Sequence, residues 1–176
     1  MVRHVDQGGR FNRVADPAWA DPLDPSYAQR AGGRWNPPQS FGVTYLCADE
    51  ATARANVARL YVGLPYGPED LDPDRAPQLV EFDLPREPYV DAVSEAGLRA
   101  LELPARYPLD EDGTEVPRER CQPIGRRAFD AGELGIASRS AAPGVGRGRE
   151  LAWFAQPGRP SLTVLSRQPF ESWFWR

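Results

Sequence analysis

The chain has 176 residues and a formal net charge of −4 at pH 7, enough for one domain with a real hydrophobic core and too short for two comfortable ones. That acidity excludes the strongly basic footprint of a general nucleic-acid binder, so no direct nucleic-acid partner is expected. All 21 basic residues are arginine, which excludes lysine nucleophiles and Schiff bases and leaves guanidinium forks to hold any anion.

Cys47 and Cys121 are the two cysteines and lack metal-ligand spacing, while the single histidine, His4, falls in an N-terminal stretch expected to fray. Neither a metal cofactor nor a histidine-based triad is expected. The first residues lack the apolar core of a signal peptide, and no run is long enough to span a membrane. The expectation is a reduced, cytoplasmic protein without a membrane partner.

In chain order, the first expected strand covers Phe11 to Ala15. Asp16-Pro17, Asp21-Pro22 and Asp24-Pro25 then read as a non-helical connection, because a residue before proline avoids the helical region. Gly32-Gly33-Arg34-Trp35-Asn36-Pro37-Pro38 reads as a turn whose glycines allow close backbone approach to a ligand. Val43 to Cys47 is short, β-branched and aromatic, a strand pattern. Asp49 suits an N-cap and Glu50 the first turn of the next helix. In that helix Ala53, Asn56, Val57, Leu60 and Tyr61 fall on one face, with Arg54 and Arg59 off it.

Gly63 to Pro77 is an acidic, proline-rich loop. Gln78 to Leu84 alternates as Leu79, Glu81 and Asp83 against Val80, Phe82 and Leu84, a strand with one wet face. Tyr89 to Val93 reads as a further strand and Ser94 to Leu103 as a short helix. Asp110-Glu111-Asp112-Gly113 is a turn without EF-hand spacing. A helix over Pro123 to Ala131 precedes three strands, Leu134 to Ser138, Leu151 to Ala155 and Leu162 to Ser166. The stretch Gly144 to Gly148 opens no helix and lacks the Lys-Ser/Thr of a phosphate loop. The tail holds Phe170, Trp173, Phe174 and Trp175, a composition that closes a core. Any exposed part of it would offer a surface, for instance for a homodimer.

Arg34, Tyr45 and Asn56 stand at intervals of eleven residues on a turn, a strand and a helix. Arg34 reads equally as a turn arginine at the surface, and Tyr45 as a core tyrosine with a satisfied hydroxyl. Asn56 is more unusual, because an amide in an apolar helix stripe has four hydrogen-bond positions that need partners in the core or a ligand.

The runs Asn12-Arg13-Val14, Ala20-Asp21-Pro22-Leu23, Gly33-Arg34-Trp35-Asn36-Pro37, Val43-Thr44-Tyr45-Leu46, Ala53-Arg54-Ala55-Asn56 and Gly135-Ile136-Ala137-Ser138-Arg139-Ser140-Ala141 resemble, in order, the RES domain family, named for an Arg, a Glu and a Ser. The resemblance implies a single α+β domain over residues 1–176. Its core would be of the ADP-ribosyltransferase kind, with short mixed or antiparallel strands in two packed sheets and a few flanking helices. It also implies a toxin that destroys NAD by hydrolysis, phosphorolysis or ADP-ribosyl transfer, with NAD as substrate. The implied protein partner is an antitoxin with a Xre-type helix-turn-helix domain that blocks the cleft. Carried over by position, Arg13 and Arg34 match the NAD-site arginines, and Tyr45 matches the tyrosine expected beside the nicotinamide. Ser140 matches the motif serine better than Ser138 does.

Breaking the nicotinamide–ribose bond builds an oxocarbenium-like cation, so guanidinium forks suit the pyrophosphate and a flat ring suits the nicotinamide. The family carries a glutamate where this chain has Asn56. An amide keeps the hydrogen bonds but not the charge, and losing one preorganised electrostatic element costs roughly a hundredfold to a thousandfold in rate. Glu50 lies about 120° around the helix and roughly 9 Å along it, out of reach of the same point. Glu150, where the chain passes back near Ser140, is the better candidate carboxylate. The catalytic set expected is therefore Arg34, Tyr45, Asn56 and Ser140, and the NAD-binding set Arg13, Arg34, Tyr45 and Ser140. The competing expectation is a catalytically weak NAD- or nucleotide-binding module acting through a protein partner, and a third is an unrelated structural domain.

Overall fold

Long alternation of apolar and polar residues builds the sheet, in a computed structural model that describes residues 1–142, 148–159 and 162–176. Strands β1 (His4–Ala15), β2 (Val43–Cys47), β3 (Gln78–Ala92), β4 (Gly135–Arg139), β5 (Arg149–Phe154) and β6 (Thr163–Gln168) are hydrogen-bonded in the order β1-β2-β5-β4-β3-β6. A further pairing of β1 with β3 runs from His4↔Val90 to Ala15↔Gln78 and closes the first five strands into a barrel. One long strand shares its second edge between two neighbours: Leu79 to Asp83 of β3 pair with β6, and Val90 to Ala92 pair in parallel with β4.

Side chains alternate across this sheet. Phe11, Leu46, Val80, Phe82, Ala137, Leu151 and Trp153, drawn from all five barrel strands, form one buried cluster inside the barrel. The outward residues Val43, Val90, Ile136, Ala152 and Phe154 pack beneath α3 (Glu95–Ala100) and α4 (Arg118–Asp130), together with Trp35 and Tyr107. Cys47 and Leu79 pack instead beneath α2 (Glu50–Arg59) and α5 (Phe170–Trp173), against Ala53, Val57, Phe170 and Trp173. Fully burying side chains of this size stabilises by about 1.5–3 kcal/mol each. The aromatic tail therefore does close a core, with only Trp175 left half exposed. Asp49 caps α2 by accepting the Thr52 amide at 2.7 Å, and Ser94 caps α3 by accepting the Gly97 amide at 3.0 Å. Among the described residues no helix is long and apolar enough to cross a membrane.

Several expectations change. The strands form one closed barrel with an added edge strand, not two packed sheets. Residues before Phe11 are paired rather than frayed: Gln7 stands opposite Glu87, and His4 Nε2 lies 2.8 Å from Glu133 Oε2. The strands expected at Gln78 and Tyr89 are one strand of 15 residues that carries Pro85 and Pro88 without breaking. A short helix, α1 (Ser26–Ala31), occupies the connection read as non-helical. Pro25 stands just before it, where a missing N–H costs nothing, and Asp24 Oδ1 accepts the Ser26 amide at 2.8 Å. Helix α4 begins at Arg118, so Pro123 is interior and deprives the Glu119 carbonyl of its amide donor. Leu60, expected on the buried face of α2, is exposed. Of the glycine-rich stretch 144–148, only Gly148 lies within the described residues.

Candidate functional site

The turn that carries Arg34 is gripped from two sides. Tyr45, on β2, accepts the Trp35 amide at 2.9 Å and donates to Asn36 Oδ1 at 2.8 Å, while Asn36 Nδ2 donates to the Ala28 carbonyl at 2.7 Å. A Cβ on Gly33 would collide with the Tyr45 ring. From the other side, Gly125 of α4 lets the helix rest on the Trp35 carbonyl, where any Cβ would overlap that oxygen. Burial pushes the Tyr45 hydroxyl well above the usual phenol range, so it stays a neutral donor that fixes the loop.

Arg34 is 9% exposed and spends its guanidinium on the chain itself. Nη1 donates to the Val116 carbonyl at 2.9 Å, and Nη2 pairs with Glu115. Arg59, from the last turn of α2, reaches the other oxygen of Glu115 at 3.4 Å and donates to the Ala141 carbonyl at 3.3 Å. Burial lowers the Arg59 pKa first, and the positive charges of Arg34 and Arg118 lower it further, against an opposing pull from Glu150. Arg34 and Arg59, from a loop and a helix, thus converge on Glu115, and the charge of Arg118 acts on Arg59 from the start of α4. Such a cluster is an anion-binding arrangement, since its repulsion is relieved by negative charge.

Glu150, at the start of β5, sits next to this cluster. Its Oε1 accepts from Asn56 Nδ2 at 2.7 Å and from Ser140 Oγ at 2.6 Å. Ser140 Oγ also accepts the Ala142 amide at 3.1 Å, and Asn56 Nδ2 lies 3.6 Å from Cys47 Sγ. The Cys47 thiol is pushed up to about 12 by burial and then by the Glu150 charge. The odd amide on α2 therefore has its partner, and the partner is a carboxylate 94 residues away in sequence. Asn56 and Arg59 are one helical turn apart, which joins the two groups into one polar rim.

The structure brings Arg34, Tyr45, Asn56 and Ser140 to the outer side of the sheet, and it separates Arg13 from them. Arg13 shares its strand parity with Phe11 and Ala15 of the barrel interior. Its Nη2 donates to the Asp24 carbonyl at 3.2 Å and its guanidinium stacks 5.3 Å over the Trp19 ring. Burial lowers its pKa to about 10. Ser138, the alternative to Ser140, is fully buried, and its hydroxyl has no hydrogen-bond partner among the described residues. A groove of about 320 Å³ lined by Val14, Trp19, Tyr27 and Tyr61 contains none of the rim residues. Sequence reasoning misses Arg59, Glu115 and Arg118. Arg59 carries a usable signal, its i+3 spacing from Asn56; Glu115 and Arg118 carry none, standing between the turn at Asp110 to Gly113 and the helix expected from Pro123. Among the described residues no group of three or more His, Cys, Asp or Glu could hold a metal ion.

A family model described as "RES domain" matches residues 10–171. No curated protein matches the chain. Among solved structures, the MbcT toxin of the M. tuberculosis MbcT–MbcA toxin–antitoxin complex is similar, with a TM-score of 0.75 at 21% identity. The match covers 94% of this chain and 86% of that one. At that identity what is shared is the fold.

Proposed function

The chain belongs to the RES domain family, and on that premise we propose that it is the toxin of a toxin–antitoxin pair and breaks the nicotinamide–ribose bond of NAD. The acceptor is water, phosphate or a protein group, and the barrel with its flanking helices serves as an ADP-ribosyltransferase-like core. One observation carries the reading: Arg34 and Arg59, from a loop and a helix, converge on a single carboxylate beside the Asn56–Glu150–Ser140 group. Two guanidinium groups already aimed at one anion are suited to a pyrophosphate, where each charge-assisted hydrogen bond contributes about 1.5–3 kcal/mol. Tyr45 spends its hydroxyl inside the loop, so its ring is what remains for the nicotinamide side. Arg13, turned toward the barrel interior, supports the fold in this reading rather than the substrate.

A protein antitoxin of the Xre helix-turn-helix type is the partner proposed to cover this rim, by analogy with the complex in which MbcT was solved. The direct test is incubation of the purified protein with NAD, with and without phosphate, and chromatography of the products. Nicotinamide release that falls at least tenfold in Arg34→Ala supports the proposal. The neutral amide at position 56 favours a second reading, a nucleotide-binding module without turnover. That reading stands if NAD raises the melting temperature while no nicotinamide appears under either condition.

A further inference from the structure

We propose that Glu150 is the catalytic carboxylate of this site, with Asn56 and Ser140 as the positioning residues that aim it; the inference rests on the NAD-cleaving reading given above. Bond cleavage leaves positive charge on the ribose, and a fixed negative charge beside that ring lowers the barrier. The polar rim offers two carboxylates, and their partners distinguish them. Glu115 is paired with Arg34 and Arg59, so its charge is already cancelled by cations. Among the described residues Glu150 is held by neutral donors, the Asn56 amide at 2.7 Å and the Ser140 hydroxyl at 2.6 Å, which orient it without neutralising it.

Both donors land on the same oxygen. Oε1 takes the two hydrogen bonds, and Oε2 has no hydrogen-bond partner among the described residues. A carboxylate with one oxygen clamped and the other open is preorganised: its orientation is fixed before substrate arrives, and a lone-pair face remains for the ribose. Strand β5 supplies rigidity, because Glu150 stands in ladder register with Cys47 on one side and Ser138 on the other. This also accounts for an amide on α2. A glutamate at position 56 would stand within hydrogen-bond distance of Glu150 and repel it, whereas Asn56 donates to it.

The step balances without a co-reactant beyond the acceptor. The bond between ribose C1′ and the pyridinium nitrogen breaks, and its electron pair neutralises the nitrogen of the departing nicotinamide. The resulting ribosyl cation, faced by the Glu150 carboxylate, is captured by an oxygen of water or phosphate, whose proton passes to solvent. No proton passes to Glu150 in this step.

The test compares wild type, Glu150→Gln and Glu150→Asp in nicotinamide release, with NAD-induced thermal shift as the check on binding. Glu150→Gln is expected to lower kcat by roughly a hundredfold to a thousandfold, the scale of losing one preorganised electrostatic group, with KM and the thermal shift changed less than about threefold. Glu150→Asp keeps the charge but withdraws it, and lowers kcat more than tenfold; this variant is decisive if Glu150→Gln does not fold. Ser140→Ala is expected to lower kcat without raising KM, and Ser140→Thr, which restores the hydroxyl, to recover it. Wild-type kcat in both Glu150 variants overturns this assignment and leaves NAD cleavage standing. A wild-type protein that releases no nicotinamide overturns the proposed function, and this assignment with it.

Discussion

Arg34 and Glu115, 81 positions apart in sequence, form an ion pair whose carboxylate also reaches Arg59. The arginine is buried and the glutamate is 43% exposed, so the pair is asymmetric: the cation is fixed and its counterion can leave. Any anion that uses these guanidinium groups must compete with Glu115. Replacing it with glutamine removes the competing charge and keeps the shape. Glu115→Gln is expected to bind inorganic pyrophosphate and NAD several-fold more tightly, measured by calorimetry at low and physiological salt, with the gain shrinking as salt rises. The same variant is expected to be less stable than wild type, because the buried Arg34 guanidinium loses a carboxylate partner and keeps only the amide oxygen as acceptor. Unchanged affinity at low salt would show that Glu115 does not occupy the anion position.

The parts of this molecule that are legible in its sequence are those whose cause is local. Strand β2 and helix α2 are legible because a β-branched run and a capping aspartate act within a few residues, and the Asp49–Thr52 bond realises that cap. The first half of β1 and the continuity of β3 are not legible, since Gly8, Gly9, Pro85 and Pro88 all argue against strand on their own. Pairing across the barrel overrides them: Gly8 lies so close to the Arg86 backbone that a side chain there would collide. The same division holds at the site. The eleven-residue intervals pick out Arg34, Tyr45 and Asn56, while nothing in the sequence marks Glu115 until the fold delivers it to Arg34. Arg13 stands apart from that group for a reason of parity. Its motif position says site, but one residue's shift along a strand changes the face, and Arg13 shares its face with Phe11 and Ala15.

Alkaline pH tests the burial of Cys47. Its thiol is held at about 12 against an ordinary value of 9.0, by burial first and the Glu150 charge second. The folded state therefore keeps a proton that the unfolded chain gives up above about pH 9. This contribution to stability is complete below that pH and is lost as pH rises toward 12, with a slope of at most about 1.4 kcal/mol per pH unit. Denaturant unfolding near pH 8 and near pH 10.5 should show wild type losing stability between the two. Cys47→Ala should be less stable near pH 8, through lost packing, yet lose less between the two conditions. Equal losses in the two proteins would mean that Cys47 does not report the alkaline transition.

Gly125 ties helix packing to the site. In an exposed helix, replacing glycine with alanine stabilises by about 1 kcal/mol. Here the added methyl would overlap the Trp35 carbonyl, and neither the helix nor the loop has room to yield, because Trp35 is 1% exposed and its own amide is held by Tyr45. Overpacking of this kind costs about 1–3 kcal/mol, so Gly125→Ala is expected to lower the melting temperature. Arg34 follows Trp35 in any displacement, since the two are adjacent. The same variant should therefore lose pyrophosphate affinity several-fold, although residue 125 touches no ligand-facing group. A melting temperature above wild type would show that the helix rests on the loop loosely, and that Arg34 is placed by Glu115 and Val116 alone.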